Sequence, residues 1–281
     1  MDLSIFSQEN SFPSFVSEKL SAILLDYSEK YEPIKHATAK GTGQLGAGVV
    51  LLLHHKKNKA NKPEYVFQLI KRSRSVSQAG DISCPGGMLH PGTDRILSFL
   101  LATRLISTMP DKGSRFLHNK DKETVYLIRL FLTNALREAW EEIGLNPFNS
   151  LFLGALPCYS LLLFARTIFP LVCITRHPYK FKLSSEVDTV IEIPVSSFFD
   201  SSNYAQLEIV RSYSDTPEAD NISYPCLIIP GINGNREILW GATYSIIMNF
   251  LSIISGDALS VPSAHQKVKK VLSVNYVTGY K

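Results

Sequence analysis

Residues 123–144, ETVYLIRLFLTNALREAWEEIG, constrain this chain more than any other stretch. Apolar side chains recur there at three- and four-residue intervals, and Gly144 followed by Leu-Asn-Pro ends the run, so the spacing predicts one long helix. Its last turns carry Glu138, Glu141 and Glu142, which fall within an arc of about 100°. Glu138 and Glu142, one turn apart, repel by a few tenths of a kcal/mol, and acids near a helix C-terminus oppose its dipole. Arg137 can pair with Glu141 one turn on and relieves part of this. A divalent cation would reverse the sign of the whole interaction, because hard carboxylate oxygens at i, i+3 and i+4 suit Mg²⁺ or Mn²⁺. Charge spacing alone leaves a solvated acidic face equally open.

With 281 residues, 45% of them hydrophobic, the chain has enough apolar material for a sizeable core. The net charge of +4 is too small and too dispersed to argue for nucleic-acid binding, while anionic small molecules remain suitable partners. Cys84, Cys158, Cys173 and Cys226 lie far apart, with no CxxC pair, and read as reduced and mostly buried. MDLSIFSQENSF is the wrong pattern for a secretory signal, so a cytoplasmic location is expected. The most apolar window, residues 151–175, is broken by Pro157, Arg166 and Pro170 and reads as buried strands and turns, not as a membrane span.

Residues 13–31 show an amphipathic helical pattern, with Phe15, Leu20, Ile23, Leu24 and Tyr27 on the stripe. The runs 46–55 and 64–72, separated by the lysine-rich KKNKANKP, predict an antiparallel strand pair. SRSVSQAGDISCPGGMLHPG is expected to be a loop with tight turns at Gly80, Gly86 and Gly87. DRILSFLLATRLISTM then reads as a helix and PDKGSRFLHNKDK as a charged connector. Strand-like runs follow the long helix, among them TIFPLVCIT, VDTVIEIPV, YPCLIIP and REILWG, before a last helix in ATYSIIMNFLSII. The expected organisation is an N-terminal helix within 1–35 packed on a domain spanning 36–255, and a polar, loosely held tail over 256–281. Trp240 reads as core before it reads as a platform for a base.

REAWEEIGL resembles the second half of the Nudix box, G-x5-E-x7-R-E-U-x-E-E-x-G-U, where U is aliphatic or small and apolar. Arg137, Glu138, Ala139, Glu141, Glu142, Gly144 and Leu145 match every specified position of that half. CPGG resembles the turn that opens the box, with Gly87 as its first glycine. The family pattern places the arginine about 14 positions after that glycine; here the separation is about 50. The resemblance therefore implies a helical insertion over about 92–128, which is a candidate for packing on the domain, for a homodimer contact or for a lid. Asp94 is the nearest acid to the box's upstream glutamate position, which Thr93 occupies.

LIKRSRSVSQAGDISCPGG further resembles the segment upstream of the box in the coenzyme A diphosphatase branch, through Arg72, Ser73, Gly80, Pro85, Gly86 and Gly87. Here Val76, Ser77, Gln78 and Ala79 replace that branch's Arg and His, and Cys84 replaces its Phe. SSEVDTVIEIPVSSFF (184–199) and ILWGATYSII (238–247) resemble later segments of the same branch. The resemblance implies an α/β (α+β) Nudix fold, a mixed sheet sandwiched between helices. It implies a Mg²⁺- or Mn²⁺-dependent hydrolase of a nucleoside diphosphate linked to another group, with coenzyme A or a derivative as the leading small-molecule substrate. ADP-ribose, dinucleotides and nucleoside triphosphates are the alternatives, and a non-catalytic Nudix-fold binding module is a further one. In this reading the Gly87 carbonyl, Glu138, Glu141 and Glu142 hold metal, Arg137 orients the glutamates, and Glu186 is the candidate general base. Lys71, Arg72 and Arg74 are the candidate contacts to substrate phosphates.

Overall fold

The computed structural model describes residues 5–6, 8–40, 43–107, 117, 120–161, 165–211, 223–231, 236–256, 266–272 and 276. Helices α1 (Phe12–Ser21) and α2 (Tyr27–Lys40) lead into the antiparallel pair β1 (Leu45–Lys57) and β2 (Pro63–Arg72). Short strands β3 (Ile82–Ser83) and β4 (Gly86–Met88) precede α3 (Pro91–Ser107) and the long α4 (Lys122–Ile143). Then come β5 (Ser150–Ala155), β6 (Tyr159–Leu161), β7 (Arg166–Thr175), β8 (Val187–Pro194), β9 (Tyr204–Arg211), β10 (Ser223–Pro230) and β11 (Arg236–Trp240). Helix α5 (Gly241–Ser255) and strand β12 (Lys267–Leu272) complete the order.

The main sheet runs β3-β2-β1-β7-β5, with β4 on β1, β6 on β7 and β8 on β2. Its centre is the parallel pair β1 and β7. Both strands read as nearly unbroken apolar runs because both faces of the sheet are covered. On one face Phe12 of α1 lies 4.2 Å from Tyr65, and Phe250 of α5 lies 6.0 Å from Phe67, ring to ring. On the other, Phe131 of α4 stacks on Phe169 at 3.7 Å, with Tyr27 and Tyr31 of α2 meeting it edge-on. The expected α/β arrangement, a mixed sheet between helices, is therefore present.

The N-terminal helix expected over 13–31 is two helices. A continuous rod can cover only one face of a sheet, and this segment covers both: α1 packs beside β5 at the sheet edge, while α2 lies on the α4 face. The break falls at residues 22–26, where the Asp26 carboxylate accepts the Cys158 N–H at 2.8 Å. Leu24, placed on the apolar stripe by its spacing, is 91% exposed in that break. The helical insertion expected over 92–128 also needs a new boundary. Residues 122–128 are the first turns of α4 itself, whose N-cap Asp121 accepts the Thr124 N–H at 2.9 Å. α3 packs on α4, and most of the charged connector between them lies outside the described residues.

The tail is not loose where it is described. β12 pairs in parallel with β9 and completes a second sheet, β11-β10-β9-β12, whose strands β9 and β12 the sequence reading did not separate. Lys270 of β12 and the Tyr276 hydroxyl both donate to the Asp81 carboxylate, which also accepts the Trp240 indole N–H at 3.2 Å. This ties β12 and Tyr276 to the loop that precedes Gly86. Among the described residues no helix is long and apolar enough to cross a membrane.

Close approach of α4 to β1 depends on two glycines. A Cβ on Gly46 would sit 3.2 Å from the Phe131 ring, and one on Gly48 would sit 2.6 Å from both Asn134 Oδ1 and the Phe131 carbonyl. Because the second collision involves helix backbone, Gly48→Ala should destabilise the protein by about 1–3 kcal/mol or more, read as a lower urea midpoint at unchanged m-value.

Candidate metal centre

The loop glycines and the acids, far apart in sequence, meet through β4. This short strand runs antiparallel to β1, with Gly87 opposite Gly48 and Gly86 opposite Val49, directly beside α4. Asn134, fully buried in α4, holds the three parts together. Its Oδ1 accepts the Gly48 N–H at 2.9 Å, and its Nδ2 donates to the Met88 carbonyl at 2.9 Å and to Asp94 Oδ2 at 3.1 Å. The Gly86 N–H donates to Glu142 Oε2 at 2.9 Å. Gly87 is glycine for room and not for a turn: a Cβ there would lie 2.4 Å from the Glu138 carboxyl carbon. Gly86 does take the positive φ expected of it, 146°, as does Gly80 at 76°.

Arg137 relieves the repulsion that the sequence poses. Its Nε donates to Asp94 Oδ1 at 2.8 Å, one terminal nitrogen to Glu138 Oε1 at 2.8 Å, and the other to both Glu141 oxygens at 3.2 Å. Asp94 is completely buried and also accepts the His90 N–H at 2.7 Å, so its task is to hold Arg137 and the start of α3. The residues alone mark Asp94 as the acid nearest the box position without giving it this role, and nothing in them singles out Asn134. A proline opening α3 with an acid in its first turn is a helix-start signal that pointed to Asp94. A lone Asn inside an apolar helical run gives no such signal.

Burial pushes the Glu142 carboxyl up to about 8; the Gly86 N–H opposes this and the Glu138 charge adds to it. Burial also raises Glu138, against the pull of Arg137. Among the described residues no three His, Cys, Asp or Glu groups are already gathered around one point as ligands. Glu138 and Glu141 rest on Arg137 and Glu142 on Gly86. Even so, the donor set fits a hard cation, since a buried carboxylate disfavoured in its charged form is relieved by a divalent ion.

Glu186 is exposed on the turn entering β8, where its carbonyl accepts the Ser73 N–H at 2.8 Å, and its charge reaches Glu142. Arg72 donates from Nε to the Ser77 carbonyl at 2.8 Å, and its charge also reaches Glu142, with the opposite sign. Arg74 is exposed in the loop. Lys71 does not join the group: it is paired with Glu237 of β11 at 2.6 Å, on the other side of β2 from its neighbour Arg72. A phosphate contact from Lys71 would require breaking that half-buried pair.

No protein-family model matches the chain, and no curated protein matches it. Among solved structures it is similar to an Ap4A hydrolase of C. elegans, at 14% identity over 54% of this chain and 81% of that one, with a TM-score of 0.32. It is similar also to a Nudix hydrolase of M. smegmatis, RenU, at 14% identity over 54% of this chain and 72% of that one, TM-score 0.32. A MutT protein of Methanosarcina mazei Go1 matches at 15% identity over 56% and 82%, TM-score 0.32. These likenesses are too distant to carry a function.

The Glu142 carboxyl supplies a test of its own. It binds its proton more tightly in the folded chain, at about 8 against an ordinary 4.5. Its contribution to stability is therefore fully present below pH 4.5 and lost as pH rises through 8. With divalent ions chelated, Tm should fall across that window, and Glu142→Gln should flatten the fall. Thermal denaturation at a series of pH values checks this; an unchanged slope in Glu142→Gln would assign the effect to another group.

Proposed function

We propose that this chain is a Mg²⁺- or Mn²⁺-dependent Nudix hydrolase that cleaves the diphosphate bond of a nucleoside diphosphate linked to another group. The leading substrate class is coenzyme A or a derivative, cut to 3',5'-ADP and 4'-phosphopantetheine. One observation carries the reading: the Gly86–Gly87 strand lies against Glu138 and Glu142, although about 50 residues separate it from them in sequence. Two halves of a motif separated by that distance meet only if the fold brings them together.

Glu138, Glu141, Glu142 and the Gly87 carbonyl would hold the metal. When bound, a divalent ion neutralises the diphosphate and makes water a competent nucleophile near neutral pH. Arg137 fixes the glutamates in orientation, and Asp94, which touches no substrate in this reading, fixes Arg137. Glu186, exposed yet within the field of Glu142, would take the proton from the attacking water. Arg72 supplies positive charge for the phosphates. The absence of the branch's Arg and His among Val76–Ala79 makes ADP-ribose, dinucleotides and nucleoside triphosphates the substrates to compare.

A panel of these compounds with Mg²⁺, with Mn²⁺ and with chelator tests the proposal. Release of 3',5'-ADP and 4'-phosphopantetheine from coenzyme A, abolished by chelator, is the expected result. Glu142→Gln should lower kcat by at least about a hundredfold with an unchanged circular dichroism spectrum, the scale of a disabled metal site. Undiminished turnover in that variant, or no metal-dependent hydrolysis of any compound, would overturn the reading.

A further inference from the structure

We propose that the cleft at the C-terminal end of α4 seats the nucleobase of the substrate, with the exposed indole of Trp140 as the surface on which the ring stacks. The inference rests on the hydrolase reading above for its ligand class and extends it to a residue at a position that the box leaves open.

The cleft lies between α4 and residues 182–184, and its volume of about 510 Å³ falls in the range of about 300–1,000 Å³ typical of small-molecule sites. Arg137, Trp140, Glu141, Lys182, Leu183 and Ser184 line it. Its two walls are fastened together, because the Lys182 N–H donates to the Ile143 carbonyl at 3.0 Å and the Ser184 N–H to the Glu142 carbonyl at 3.0 Å. Gly144 lets them come this close, since a Cβ there would sit 2.8 Å from that of Lys182. The cleft is therefore built on the end of the acid helix itself.

Trp140 is 62% exposed and Leu183 is 42% exposed. Single apolar side chains are ordinary on a protein surface, but here an indole and a leucine share one cleft. Together they offer apolar surface to a flat ring, and stacking on an aromatic side chain accepts any nucleobase because every base has a π face. Arg137 and Lys182 bring positive charge to the lining, which suits the anionic end of a nucleotide. Arg137 and Glu141 belong both to this lining and to the acid group, so a base held here keeps its phosphates beside the candidate metal ligands. The chain's other tryptophan is already engaged: Trp240 donates its indole N–H to Asp81 at 3.2 Å, and Lys270 and Tyr224 meet its ring at 5.6 and 5.9 Å.

AMP is the probe, because it has no anhydride to cut and its binding is read without turnover. With Mg²⁺ present, AMP should quench the wild-type tryptophan emission saturably. Calorimetry should show Trp140→Leu binding AMP at least about tenfold more weakly, and Trp140→Phe within about threefold of wild type because it keeps a ring. Ribose 5-phosphate, which lacks the base, should bind wild type and Trp140→Leu alike. Because Trp140 is mostly exposed, Trp140→Leu should lower Tm by no more than about 3 °C. On whichever compound of the panel is hydrolysed, Trp140→Leu should raise KM about tenfold or more and change kcat by less than about threefold. Equal AMP affinity in wild type and Trp140→Leu, or no AMP binding by wild type, would overturn the seat even if hydrolysis proceeds normally. Emission that shifts with protein concentration in the absence of AMP would assign the indole to a contact between copies, and a larger fall in Tm would make it structural; either result also overturns the seat. AMP binding lost in Trp140→Leu with no compound hydrolysed would retain the seat and overturn the hydrolase.

Discussion

The side-chain amide of Asn134 is the junction on which the site depends. Fully buried, it joins the central strand through Gly48, the glycine strand through Met88 and the start of α3 through Asp94. Without it the Gly48 N–H would be an enclosed donor short of this bond, at a cost of about 1–3 kcal/mol. No apolar side chain of similar volume replaces it, because its oxygen and its nitrogen face groups of opposite kind. Two glycines let α4 come close enough for this amide to reach the sheet, so the tight packing and the polar network specify each other.

Charge is arranged around that junction in layers. Asp94, set by Asn134 and the His90 N–H, sets Arg137, and Arg137 sets Glu138 and Glu141. Glu142 lies deeper, with the Gly86 N–H as its donor among the described residues, and burial disfavours its charged form. The outer glutamates are thus oriented by protein charge, while the inner one is kept short of it. Such an arrangement gives the site its geometry before any cation arrives and leaves one carboxylate with a strong reason to take one up.

Much of this was readable from residues alone. The helix ending at Gly144, the strand pair about KKNKANKP and the mixed sheet between helices follow from periodicity and punctuation, which are local properties. What could not be read is what depends on distant partners. The helix break at 22–26 follows from the need to round a sheet edge, not from any breaker in AILLD. β12, KVKKVL, is half lysine and looks like a solvated tail until β9 is known to lie beside it. Within the site, the acids and Arg137 were legible because they share one helix. Asn134 and the role of Asp94 were not, since each acts through elements about 40 or more positions away. Adjacency groups Lys71 with Arg72, but neighbours in a strand face opposite ways and Lys71 pairs with Glu237.

The clasp on Asp81 makes the order of synthesis matter. The loop carrying Asp81 and the glycine turn emerges early, and the helix of acids follows it. The lysine and tyrosine that fasten the loop lie 189 and 195 positions downstream of Asp81. A nascent chain already holding every residue of the acid cluster therefore has a loop still untied at its base, and it stays so until the second sheet receives its parallel strand. The loop beside the acids is thus fastened by a segment that is made last and touches none of them.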